Sequence, residues 1–305
     1  MKKAGTPRYD PVPIGEVARP PFACLPDPLS LFRGRARRFL ALAARHELAE
    51  YLRFLAGLAE AQHRVQEGLP VADPPPEEVR ERARQSGLPP LPRNRFTFEP
   101  AFAATLEGLL ARAAAVEMPP AARAALERLT AADNATRERM VGAVLANAIP
   151  VETVAQHVYV AAALQVHFSR LAARLAPDRL VPIGKPGCPV CGGAPVCSLI
   201  VGWRAAQATR FCACALCGTL WNYVRIKCTL CGSTKNISYQ QIEGGPGNVK
   251  AETCDSCQGY VKVLHQHEDP ELEPVADDVA TLGLDLLLRE AGYRRGGVNF
   301  FLHGY

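Results

Sequence analysis

From residue 28 the chain reads in a helical period. Over residues 28–65, Leu31, Phe39, Leu42, Leu48, Leu52, Leu55 and Leu58 recur at spacings of three, four and their sums, with arginines between them. Gly68-Leu69-Pro70 and the run Asp73-Pro74-Pro75-Pro76 break that pattern. Residues 77–86 predict a short, highly charged helix closed by Gly87. After a loop at 89–95, further helices are expected over 100–117, 121–129, 134–148 and 151–175, all but the second stopped at or near a proline. Strand-like alternation is almost absent before residue 181. Residues 28–180 therefore predict an all-α N-terminal helical domain of about six helices, preceded by a Pro-rich N-terminal arm at 1–27, draped on the body or disordered.

Beyond a linker at 180–187 the texture changes. Short β-favouring runs stand at 196–203, 219–226, 237–242 and 259–265 among Cys and Gly. One last helix is expected from about 275 to 291, with Asp277 and Asp278 in its first turn, where the macrodipole favours acids, and Gly292 as its stop. Arg, Glu or His interrupts every apolar stretch within a few positions, so no segment predicts a membrane span. With 48% apolar and 21% charged residues over 305 positions, the chain is also too apolar to be disordered.

Cysteine changes the picture most. Of 11 cysteines, ten lie between Cys188 and Cys257. The N-terminus has lysines but no apolar segment behind them, which predicts a cytoplasmic protein with reduced thiols and hence metal rather than disulfides. Four C-x-x-C pairs repeat with a period of 40: Cys188, Cys191, Cys214 and Cys217 map onto Cys228, Cys231, Cys254 and Cys257. A C-x-x-C turn aims two sulfurs at one point, and two such knuckles complete a tetrahedral all-sulfur site. The expected units are a first four-cysteine ribbon at 181–227, a second at 228–267, and an acidic C-terminal helix and tail at 268–305. Crossed pairing of Cys214/Cys217 with Cys228/Cys231 is the alternative, which the duplication disfavours. The two four-cysteine sites suit zinc or iron equally, and Cys-Pro-Val-Cys-Gly at 188–192 looks like a rubredoxin knuckle. Cys197 and Cys212 read as small buried hydrophobes, with an extra or exchangeable ligand as the other reading; Cys24 has no partner.

The remaining candidates are weaker. The seven histidines read as rim or surface residues, with a metal role as the minor alternative; the pair His265-x-His267 lies just past the second ribbon. Gly244-Gly245-Pro246-Gly247 reads as a turn. No zinc-protease, nucleophile-elbow or phosphate-loop motif occurs, and four cysteines per ion leave no open position for a substrate, so an enzyme is not expected. The net charge of +5 is uneven: residues 181–267 carry +5 and residues 268–305 carry −5. That is not a strongly basic nucleic-acid profile. Trp221, Tyr223, Arg225 and Lys227, then Tyr260 and Lys262, interleave aromatic and basic side chains. Such a face binds nucleic acid or protein, or packs one ribbon on the other.

At these residues the chain resembles the formate dehydrogenase accessory (formation) protein family, FdhE. The likeness lies in C-P-V-C-G at 188–192, in C-x-L-C-x-x-x-W-x-x-x-R-x-x-C-x-x-C from Cys214 to Cys231, and in E-x-C-x-x-C-x-x-Y-x-K from Glu252 to Lys262. It continues in A-D-D-x-A-x-L-x-L-D-L-L-L-x-E-x-G-Y-x-R-x-G-x-N from Ala276 to Asn299. The resemblance implies a cytoplasmic accessory protein needed to form active respiratory formate dehydrogenase, contacting its catalytic subunit before export. It also favours iron, held in a rubredoxin-like manner by the eight cysteines, and carries over no catalytic residue. For the partner-binding face the first places to look are Trp221, Tyr223, Arg225, Tyr260, Asp277 and Asp278; self-association is compatible with this reading. The alternatives are a zinc-ribbon nucleic-acid-binding protein and, requiring iron, an electron-transfer protein.

Overall fold

A computed structural model describes residues 20–184 and 186–302; most of the predicted N-terminal arm, Lys185 and the tail from His303 lie outside the described residues. Among the described residues seven α-helices precede the cysteine region: α1 (Pro28–Ala43), α2 (Ala49–Val65), α3 (Glu77–Gln85), α4 (Pro100–Ala113), α5 (Pro120–Ala131), α6 (Asn134–Ala146) and α7 (Val154–Ala172). The periodic run over 28–65 is two helices, not one. Asp27 caps α1, its carboxylate accepting from the Leu29 N–H at 3.2 Å. The turn between α1 and α2 is held by His46, whose Nδ1 accepts from the Leu48 N–H (3.1 Å) while Nε2 meets the Ala280 carbonyl (2.8 Å). Folding the run back lets both apolar faces pack on the same core.

Helix α7 is the axis of this half. It is buried on every side, and only Val154, Ala155 and Arg170 escape full burial. It contacts α2, α4, α5 and α6 directly. Buried polar groups lie along it: Gln165 accepts from Gln62 Nε2 (2.9 Å) and donates to the Ala215 carbonyl (2.8 Å) in the cysteine region, whereas Nε2 of His157 and of His167 has no hydrogen-bond partner. The core is therefore continuous between the helices and the first ribbon.

The sheet consists of β1 (Ala23–Cys24), β2 (Cys197–Ile200), β3 (Arg210–Ala213), β4 (Leu220–Asn222), β5 (Ile237–Gln240), β6 (Val249–Cys254), β7 (Gly259–Leu264) and β8 (Arg294–Arg295). The 40-residue period extends to the strands. β2-β3-β4 and β5-β6-β7 are equivalent antiparallel meanders, with Cys197↔Ala213 in one register matching Ile237↔Cys254 in the other to within a residue. The two repeats are not separate beads. β2 pairs in parallel with β7 (Ser198↔Val263), giving the order β1-β4-β3-β2-β7-β6-β5, with β8 beside β7. The end of the predicted arm supplies β1, which covers the outer edge of β4 (Ala23↔Trp221).

The predicted helix at 275–291 is broken into α8 (Ala276–Ala280) and α9 (Leu282–Glu290). The cause is the buried Lys262 ammonium. It donates to the Asp278 and Thr281 carbonyls at 2.8 and 3.0 Å, and these would otherwise serve the helical ladder. The same ammonium meets Asp278 (3.3 Å) and Asp285 (2.5 Å), and Arg295 pairs with both carboxylates. Farther along, Arg35 of α1 meets Glu273 (3.0 Å), and Arg38 meets Asp277 (2.6 Å) and Asp269 (3.3 Å). The negative charge of residues 268–305 is thus largely turned inward. Among the described residues no helix is long and apolar enough to cross a membrane.

Candidate metal centres

Each cluster is built by four C-x-x-C knuckle residues from two hairpin turns. In the first, the Gly192 N–H donates to the Cys188 carbonyl (2.8 Å) and the Gly218 N–H to the Cys214 carbonyl (3.1 Å). In the second, the Gly232 N–H donates to the Cys228 carbonyl (3.0 Å). The residue after each knuckle needs positive φ: Gly192 (79°), Gly218 (74°) and Gly232 (76°) supply it freely, while Gln258 supplies it at 51°. At Gly218 packing favours glycine as well, since a Cβ there would sit 2.8 Å from Leu31 Cδ2 and 3.2 Å from Pro26 Cβ, so these side chains would have to shift.

The sulfurs converge as the repeat predicts and not in the crossed arrangement. Sγ···Sγ distances are 3.5 Å for Cys188–Cys217 and 3.4 Å for Cys191–Cys214. In the second group they are 3.9 Å for Cys228–Cys257 and 3.8 Å for Cys231–Cys254. A tetrahedral ion with metal–sulfur bonds of about 2.3 Å separates its sulfurs by roughly 3.8 Å. Within each group the ligand atoms all lie within 4.8 Å of one another. Backbone N–H groups point at sulfur: Cys217 to Cys214 (3.5 Å) and Leu230 to Cys228 (3.4 Å). Donor set, spacing and amide support all fit a four-sulfur metal site, and each cluster can hold one ion.

The electrostatics repeat too. Burial pushes the Cys188 and Cys217 thiols well above the ordinary range, whereas hydrogen bonds from the Cys188, Cys191 and Cys217 thiols hold Cys214 well below it. At the equivalent position burial raises Cys254, but hydrogen bonds, from the Cys257 and Ser256 N–H groups foremost, outweigh it and leave the thiol low. Cys228 is raised, and burial pushes Cys257 up to about 12. One sulfur per cluster favours thiolate while neighbours resist further charge. A divalent cation reverses that resistance.

The clusters differ in setting. Cys188, Cys191, Cys214 and Cys217 are all buried. The first lies under the helical half: the Leu91 and Arg93 N–H groups donate to the Val190 and Cys191 carbonyls (2.9 and 3.1 Å), and Gln165 holds Ala215. In the second, Cys228 and Cys254 are buried, Cys257 is half-buried and Cys231 is exposed. Cys197 and Cys212 lie inside β2 and β3, away from both groups. Burial pushes both thiols up, Cys212 to about 12, in keeping with inert core residues.

The proposed partner face is not assembled. Trp221, Tyr260, Asp277 and Asp278 are buried, correcting the expectation that they present a docking surface. Trp221 packs in the main core. Tyr260 donates to Asp285 (2.7 Å), and the two aspartates are held by Arg38, Lys262 and Arg295. Tyr223 is half-buried, its hydroxyl on the Cys228 carbonyl (3.2 Å); Arg225 is exposed. Sequence reasoning missed the Arg210–Glu252 pair, which joins β3 to β6 across the two repeats at 2.8 Å with both side chains buried. The signal available was a basic residue four positions before the third cysteine in each repeat; only burial shows what it does.

Family models match nearly the whole described chain: "FdhE, N-terminal" over 20–185, "FdhE, central domain" over 187–225 and "FdhE, C-terminal domain" over 226–302. A curated protein of Rhizobium meliloti, "Protein FdhE homolog", is 45% identical, with 97% of each chain covered. Its namesake in Stutzerimonas stutzeri is 36% identical over 93% of each. The crystal structure of the FdhE protein from Pseudomonas aeruginosa superposes with a TM-score of 0.83 at 34% identity, covering 93% of this chain and 99% of that one. On sequence and on fold, this chain belongs to the FdhE family.

Proposed function

We propose that this protein is a cytoplasmic accessory factor in the formation of respiratory formate dehydrogenase, not an enzyme, and that it contacts the catalytic subunit before export. The observation that carries this reading is the pair of four-cysteine clusters in a member of this family. Four sulfurs per ion leave no open coordination position for a substrate, so each metal serves the fold. The ligands are Cys188, Cys191, Cys214 and Cys217 for one ion, and Cys228, Cys231, Cys254 and Cys257 for the other. Iron is the filling that the family resemblance favours, and zinc is the alternative.

Deleting the gene is expected to abolish membrane formate dehydrogenase activity, and the plasmid-borne chain to restore it; unchanged activity in the deletion overturns the reading. The catalytic subunit is expected to co-purify with the tagged chain from cells blocked in export. Anaerobic purification with metal analysis is expected to give ferric-thiolate absorption on exposure to air. A colourless protein with a full complement of zinc assigns the sites to zinc.

A further inference from the structure

The strand β7 ends in His265-Gln266-His267-Glu268, a turn closed by the Glu268 N–H on the His265 carbonyl (2.9 Å). Three side chains there converge outside both cysteine clusters, with ligand atoms within 4.8 Å of one another. His265 Nδ1 lies 3.6 Å and His267 Nε2 3.4 Å from the Glu268 carboxylate. The first separation is too long for a hydrogen bond and the second beyond its usual range. Both suit two donors sharing one ion, since bonds of about 2.0–2.1 Å in a tetrahedral site place neighbouring donors roughly 3.3 Å apart.

Two further observations point to a ligand. His267 Nδ1 meets the Ile200 carbonyl at 3.3 Å, and the His267 backbone N–H donates to the same oxygen at 3.0 Å. A carbonyl can only accept, so Nδ1 carries the proton and Nε2 turns its lone pair toward Glu268, the tautomer control found around metal-bound imidazoles. His265 is the second observation. Its side chain is 14% exposed, and neither ring nitrogen has a hydrogen-bond partner. A half-buried imidazole in that state has given up water without gaining a partner unless something binds it. Gly202 lets the turn approach, for a Cβ there would sit 3.1 Å from His267 Cα.

We infer that His265, His267 and Glu268 form a third metal site, for a divalent ion of the zinc class. Two imidazoles and one carboxylate suit such an ion rather than the all-sulfur preference of the cysteine clusters. Three protein donors leave a position for water or an incoming ligand, unlike the closed clusters. Through Ile200 the site also ties the end of β7 to the end of β2, where the two repeats pair in parallel.

The test uses the untagged full chain with its cysteine sites as purified, titrated with zinc alone. The wild type is expected to take up one more zinc per chain than His265→Ala/His267→Ala. Glu268→Gln, at a half-exposed position that leaves packing intact, is expected to weaken that uptake by about tenfold or more. Crystals soaked in zinc are expected to show an anomalous peak between the three side chains. Equal zinc uptake by the wild type and both variants, or anomalous peaks only elsewhere, overturns the assignment. The readout is a difference between proteins, so it stands whichever metal fills the cysteine clusters.

Discussion

The two four-cysteine clusters come from one repeated unit and have become different objects. The first is buried, clamped by the 89–95 loop, by α7 through Gln165 and by Leu31 pressing on Gly218. The second leaves Cys231 exposed and Cys257 half-buried, and β5, on the sheet's outer edge, is largely exposed. Identical ligand spacing thus fixes the site but not its environment. The helical half bonds directly to the turns of the first cluster, so that site becomes a cornerstone and the other a rim.

The largest test of that difference is removal of metal. A structural ion contributes on the order of 10 kcal/mol to the module it closes. Cys191→Ser is expected to lose one ion and with it the docking of the helical half, read as loss of soluble protein or of the cooperative melting transition. Cys231→Ser is expected to lose one ion while the helices melt as before. A chelator should empty the second site first, followed by metal release against time; equal release rates would show that burial does not distinguish the sites.

Next comes the bridge between the repeats. Arg210 and Glu252 are almost wholly buried, and removing one partner strands the other charge. Arg210→Ala is expected to cost about 3–5 kcal/mol and to split unfolding into two steps in a denaturant titration. A single unsplit transition would mean that the β2–β7 seam couples the repeats without the ion pair.

The smallest effect sits at the fourth knuckle. Gln258 adopts the left-handed conformation that glycine provides at the other three. Gln258→Gly is expected to stabilise the second module by about 1 kcal/mol, less the entropy glycine adds to the unfolded chain. The Gly218→Ala change in the first module should destabilise by more than that, because its Cβ meets Leu31. Thermal melts of the two variants check both signs.

Much of this molecule was legible in the order of its residues. The cysteine grouping followed from an exact period, because metal geometry constrains ligand spacing locally. The helical half followed from apolar spacing, although the break at His46 did not, since a turn inside a periodic run carries no strong breaker. The strands β3 and β6 escaped notice because their inward-facing Arg210 and Glu252 look like surface residues until each is seen to be the other's partner. The same ambiguity misplaced Trp221, Tyr260, Asp277 and Asp278: polar and aromatic residues signal an exposed face and a buried network equally well.

By itself, then, the sequence determined the helical half, the duplicated ribbon and the eight converging sulfurs, all of which rest on contacts between residues close in the chain or on a repeated spacing. Only the tertiary structure decided that the repeats share one sheet through β2 and β7, that Lys262 splits the last helix, and that one cluster is wholly buried and the other partly exposed. Those outcomes depend on which surfaces meet across the fold, and burial, not residue type, sets what a charge or a thiol does there.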